Sequence, residues 1–172
     1  GPEVPLEALQ HGADHPVGFL VGTGARVILQ IDNLRKHFTT FWACVLGGFT
    51  PVTVAVAPSY KEANGVVNKL FNTWKLLQGP LVITSAHLRE SVAGIGKFLP
   101  MEGLKIAAVE ELTGGSQEEP IFCSKPEDLV FFQLTSGSTG VPKCIQETHR
   151  GIIAHIHGAQ QFNGYSADDV TL

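Results

Sequence analysis

Apolar positions along the chain alternate between two rhythms. Runs over residues 27–31, 50–57, 81–84 and 105–109 are apolar on both parities, as expected for strands of a parallel sheet covered on both faces. Between them, apolar residues recur at helical spacing. Leu34, Phe38, Phe41 and Val45 follow an N-cap at Asp32 or Asn33, and Gly47-Gly48 ends that helix. Val66, Leu70 and Trp74 share a face of a helix over 61–77, stopped by Gly79-Pro80, and Leu88, Val92, Ile95 and Leu99 follow a cap at Ser85. The succession strand, helix, strand, helix, strand, helix, strand predicts an α/β fold with a doubly wound, mainly parallel sheet and helices on both faces over 27–112. Leu34, Phe38, Phe41, Val92 and Ile95 are expected in its core.

The rhythm breaks over residues 113–126, where Gly114-Gly115-Ser116-Gln117-Glu118-Glu119-Pro120 reads as an exposed connector. Two strands then flank a loop, Val130-Phe131-Phe132-Gln133 before it and Cys144-Ile145-Gln146-Glu147-Thr148 after it. A helix follows from His149 or Arg150 to Phe162, closed by Asn163-Gly164, and another strand is expected after Asp168-Asp169-Val170. At the other end Gly1-Pro2 reads as a protease-cleavage remnant and 3–16 show no sustained period, so 1–16 are set apart from a unit over 17–172. No internal repeat is evident.

Bulk properties narrow the class without naming a chemistry. A chain of 172 residues is one domain long and can bury a core. The net charge of −4 and scattered lysines and arginines argue against a nucleic-acid partner. No apolar run reaches a membrane span, so no membrane partner is expected. Cys44, Cys123 and Cys144 are odd in number with no close pair, which suits a reducing, cytoplasmic setting.

The chemistry sits in the loop Thr135-Ser136-Gly137-Ser138-Thr139-Gly140-Val141-Pro142-Lys143. Clustered hydroxyls, with two glycines free to take positive φ, let side-chain O–H and backbone N–H groups converge on one anion, and Lys143 adds a full positive charge. Phosphate fits such a set, because its oxygens accept many short hydrogen bonds. The apolar strands on either side argue against a flexible linker. A Walker A loop is excluded, since Pro142 stands where that motif continues and a strand, not a helix, follows. Small residues make few packing contacts, which predicts that 136–140 are mobile without nucleotide.

Thr135 to Lys143 match the pattern [ST]-S-G-[ST]-T-G-x-P-K at every specified position, and the loop closely resembles the phosphate loop of the adenylate-forming superfamily: acyl-CoA synthetases, adenylation domains of nonribosomal peptide synthetases, and luciferases. The similarity extends to Glu147-Thr148-His149 and, more softly, to residues 27–58 with Phe41 to Gly48, and covers the first third or so of the family's catalytic unit. The resemblance implies the N-terminal part of an adenylation domain of a nonribosomal peptide or hybrid polyketide synthase. There a carboxylic or amino acid attacks the α-phosphate of ATP, giving an acyl adenylate and pyrophosphate, and a carrier-protein phosphopantetheine thiol takes the acyl group. It further implies that Thr135, Ser136, Ser138 and Thr139 donate hydroxyls and that Gly137 and Gly140 let the backbone approach. Lys143 would stabilise the loop or the leaving group, and Mg2+ would accompany ATP. Alternatives are an acyl-CoA ligase, with CoA as acceptor, and a non-catalytic nucleotide-binding module. The remainder of the adenylation domain is an expected partner, and this chain alone is expected to be inactive.

Other candidates carry less. A dinucleotide reading of Gly18 to Val27 fails at the third glycine position, where Val27 stands. His155 and His157 lie about 200° apart on a helix and cannot share a metal as an i, i+4 pair can. Cys144 lacks the spacing of a catalytic dyad or triad and reads as a packed thiol, while Asp168 and Asp169 read as a solvated turn. His149, where strand gives way to helix, reads as a structural hydrogen-bonding residue. No catalytic residue and no metal ligand is assigned in this chain.

Overall fold

The computed structural model describes residues 24–112, 121–135, 143–166 and 169. Among these residues six strands form one sheet: β1 (Arg26–Gln30), β2 (Thr50–Thr53), β3 (Leu81–Thr84), β4 (Ile106–Ala108), β5 (Leu129–Thr135) and β6 (Lys143–Thr148). Their order is β4-β3-β1-β2-β5-β6, parallel throughout except for β6, which runs antiparallel to β5. The chain steps from β1 to β2, then crosses back over β1 to β3. Helices therefore fall on opposite faces, as the alternating pattern predicts.

Helix α1 (Leu34–Leu46) covers one face and α2 (Gly65–Leu76) the other, with α3 (Arg89–Ala93) between two short 3-10 turns beside α2. The alternation of strand side chains divides the core accordingly. Val27, Leu29, Leu81 and Ile83 meet Ala43, Cys44 and Phe49 on the α1 side. Ile28, Val52, Val82 and Ile106 meet Val67, Leu70, Trp74, Val92 and Ile95 on the α2 side. Each fully buried Val, Leu, Ile or Phe among them contributes about 1.5–3 kcal/mol.

Caps decide where the helices begin. Asn33 Oδ1 accepts from Lys36 N at 3.0 Å, and Asn64 Oδ1 accepts from Val66 N and Val67 N at 3.1 and 3.0 Å. The second helix therefore starts at Gly65, not near Lys61. At the end of α1 a Cβ on Gly47 would stand 2.8 Å from the Phe49 ring, so only glycine lets the chain turn under it.

The expected core needs one correction. Val92 and Ile95 are fully buried and Phe41 is partly buried, but Leu34 and Phe38 are 68% and 54% exposed. Helix α1 instead rests on the sheet through its small residues, Thr40, Ala43 and Cys44. Small side chains let the helix axis come close, and Thr40 satisfies its buried hydroxyl by donating to Lys36 O at 2.8 Å. The larger apolar row is left on the flank. Two strands are also shorter than their apolar runs: beyond Thr53 only Val54 N still donates to Leu29 O, and after Ala108 the chain turns into a 3-10 helix at Val109.

Candidate functional site

β5 lies parallel to β2, with Val52 opposite Phe132, so it delivers its carboxyl end to the same sheet edge as β1 to β4. Ligands of open α/β sheets bind outside that edge. The last residue of β5, Thr135, is paired with the first residue of β6, Lys143. Antiparallel partners stand about 4.5–5.5 Å apart at Cα, so the hydroxyl-and-glycine loop begins and ends at one point. Thr135 is partly buried and Lys143 exposed. Ser136, Gly137, Ser138, Thr139, Gly140 and Pro142 lie outside the described residues, as does the expected mobility of 136–140.

The strand leaving the loop runs straight into α4 (His149–Asn163), which ends at Gly164 with a left-handed φ of 67°. Thr148 caps it, its Oγ1 accepting from Gly151 N at 3.1 Å. His149 enters through its backbone, N–H to Asp128 O at 3.2 Å. On the other side of the loop's base, His37, Phe38, Phe41 and Trp42 face Phe131 and Gln133 across an open groove of about 410 Å³. The Phe41 and Phe131 rings lie 5.6 Å apart within it.

A second polar group, not anticipated from the sequence, occupies the carboxyl ends of β1, β3 and β4. Ser85 Oγ donates to Asp32 Oδ1 at 2.5 Å, in place of capping its helix, and His87 Nε2 lies 3.1 Å from Asp32 Oδ2. The Ser85 hydrogen bond holds the Asp32 carboxyl below the usual carboxylate range; partial burial opposes this, and His87 reinforces it. Lys36 Nζ meets Glu110 Oε1 at 2.7 Å while Glu110 Oε2 accepts from Ala86 N at 2.8 Å, and Arg89 pairs with Glu111. Asp32 and Ser85 stand just past the ends of β1 and β3, which is the available sequence signal. Their partners are mostly each other, so the group ties strand ends together.

The remaining candidates resolve simply. Burial pushes the Cys44 thiol up to about 12 and raises that of Cys144, opposite to what a nucleophile needs. His155 and His157 are exposed, and Asp169 accepts from Ser166 N at 2.5 Å in an exposed turn; Asp168 lies outside the described residues. Among the described residues no three His, Cys, Asp or Glu side chains are grouped to hold a metal ion. No helix among them is long and apolar enough to cross a membrane.

The pattern of the AMP-binding enzyme family matches residues 19–172. The chain belongs to that family. Among curated relatives, atromentin synthetase greA of Suillus grevillei is 27% identical over 157 residues, covering 87% of this chain and 15% of the relative. Among solved structures, the adenylation domain of a keto acid-selecting NRPS module bound to keto acyl adenylate is 38% identical, with a TM-score of 0.79 over 88% of this chain and 28% of its own. McyG A-PCP complexed with phenylalanyl-adenylate is 34% identical, with a TM-score of 0.83 over 95% of this chain and 25% of its own. The chain thus spans about 15% of the length of the curated relative and about a quarter of these two structures.

Proposed function

We propose that residues 17–172 are the N-terminal α/β subdomain of an adenylation domain in a nonribosomal peptide or hybrid polyketide synthase. The whole protein, placed in the cytoplasm, activates a carboxylic or amino acid with ATP to an acyl adenylate and passes it to a carrier-protein phosphopantetheine thiol. The observation that carries the reading is the Thr135–Lys143 motif at the closed end of a hairpin on the sheet's carboxyl edge. Identities of 38% and 34% to adenylation domains support it over a CoA ligase.

The chemistry asked of the loop follows from the reaction. As the acid attacks the α-phosphate, charge builds on the departing pyrophosphate, and donors already aimed at that charge lower the barrier. Thr135, Ser136, Ser138 and Thr139 supply hydroxyls, Gly137 and Gly140 give access to backbone N–H groups, and Lys143 supplies a cation. Magnesium suits the polyphosphate, whose oxygens would supply most of its ligands, with one or two carboxylates from the protein completing the set.

The test is carboxylate-dependent exchange of labelled pyrophosphate into ATP, run on this chain and on the complete parent. The parent should exchange and this chain should not, because catalytic groups that act as a unit lose nearly all effect when some are missing. Exchange by this chain at the parent's rate would overturn the assignment.

A further inference from the structure

The β5–β6 ladder changes register once. Leu129 pairs with Thr148, but the next pair is Phe131 with Glu147, so Val130 is an extra residue on β5, a β-bulge. Val130 is 6% exposed, which fixes the bulge by burial. Its effect appears at the far end of the hairpin. Continued without the bulge, the register of Leu129 and Thr148 would set Thr135 opposite Pro142, which has no N–H for the ladder. With the bulge, Thr135 faces Lys143.

What holds the bulged end is the turn just before β5. Asp128 Oδ2 accepts from Lys125 N at 2.7 Å, and Asp128 N donates to Lys125 O at 3.0 Å. The turn's carbonyls then grip the start of α4: His149 N donates to Asp128 O at 3.2 Å and Arg150 N to Pro126 O at 2.8 Å. Arg150 Nη2 also meets Glu127 Oε1 at 2.5 Å, an exposed pair that adds little. The open end of the hairpin is therefore locked to the helix behind it through one carboxylate-closed turn.

We propose that Asp128 is a positioning residue for Lys143: by closing this turn it holds the register that places Lys143 opposite Thr135 at the mouth of the loop. The inference rests on the reading of that loop as the polyphosphate site. It adds a residue outside the motif whose effect on the reaction passes through Lys143.

The experiment compares Asp128→Ala and Asp128→Asn in the complete parent enzyme, alone and with Lys143→Ala. Asp128→Ala should lower kcat/KM for ATP by roughly tenfold while leaving KM for the carboxylic substrate unchanged, and Asp128→Asn, which keeps an acceptor for Lys125 N–H, should restore most of it. In the Lys143→Ala background Asp128→Ala should cost little, because both changes remove one effect. Amide hydrogen exchange should rise over 131–135 and 143–147 but not over 26–30 and 81–84. If Asp128→Ala does not fold, Asp128→Ser carries the same comparison, its shorter hydroxyl giving an intermediate loss. Additive costs, an unchanged kcat/KM for ATP, or equal hydrogen-exchange change in all strands would overturn the proposal. A parent that shows no pyrophosphate exchange defeats the functional reading and this inference with it, whereas an active parent indifferent to Asp128→Ala defeats only the inference.

Discussion

Ser85 Oγ donates to Asp32 Oδ1 at 2.5 Å, joining the carboxyl ends of β1 and β3 across 53 residues of sequence. These two strands are neighbours at the point where the chain's winding reverses, so no helix connects them directly. In many α/β proteins that crevice takes a ligand. Here the Ser85 hydroxyl and His87 imidazole occupy the carboxylate, and the proposed phosphate loop lies further along the same edge, at β5.

The first prediction follows from that pair. The Ser85 hydrogen bond holds the Asp32 carboxyl low in the folded state, so its contribution to stability is present above the unfolded value of about 3.9 and is lost as pH falls through the folded value. Asp32→Asn should therefore destabilise at pH 7 and converge on the wild type in acid. Because the Asp32 side chain is 41% exposed, solvent screening limits the gap to about 0.5–1 kcal/mol. Urea unfolding at pH 7 and pH 2.5 measures it. An equal gap at both pH values would show that the charge plays no part.

A second prediction separates the exposed apolar row of α1 from the core. Leu70 is fully buried among strand and helix side chains, and Leu70→Ala should cost about 2–5 kcal/mol. Phe38→Ala and Leu34→Ala, at exposed positions, should each stay within about 0.5 kcal/mol. Denaturant midpoints at unchanged slope provide the comparison. A loss at Phe38 as large as that at Leu70 would mean that the flank of α1 is packed in solution.

How much of this was legible in the chain divides along physical lines. Strands covered on both faces are continuous apolar runs, so 27–31 and 81–84 could be read directly, as could the mainly parallel sheet and the two strands that flank the loop. Turn chemistry was equally plain, with Gly47-Gly48 and Gly164 each ending a helix. Helix periodicity showed that α1 has an apolar face but not which row meets the sheet. Close approach favoured Thr40, Ala43 and Cys44 over the bulkier Leu34 and Phe38, and that choice depends on tertiary distance. The proposed phosphate loop stands out because its residue types are the chemistry asked of it, whereas Val130 shifts the register and Asp128 is proposed to hold it. Register belongs to a pair of strands, so neither residue stands out in one sequence.

The last prediction concerns Lys143, for which the sequence leaves two roles open. An exposed lysine at the end of a ladder has little to hold in the folded state, so Lys143→Ala should leave the thermal midpoint of the parent enzyme nearly unchanged. Its effect should appear in catalysis. If the ammonium stabilises charge arising on the departing pyrophosphate, the interaction is stronger in the transition state than with bound ATP, and its loss lowers kcat with KM for ATP little altered. If it only orders the loop around ATP, KM rises and kcat holds. The first outcome is expected, with a fall in kcat of about a hundredfold, the usual cost of removing one preorganised donor to developing charge. Lys143→Arg should recover part of it, since charge is kept but a planar guanidinium replaces a compact ammonium at the pair with Thr135. Steady-state pyrophosphate exchange at varied ATP decides between the two roles. A variant with normal kcat and normal KM would remove Lys143 from the site, and with it the strongest reason for reading this hairpin as the place where ATP is held.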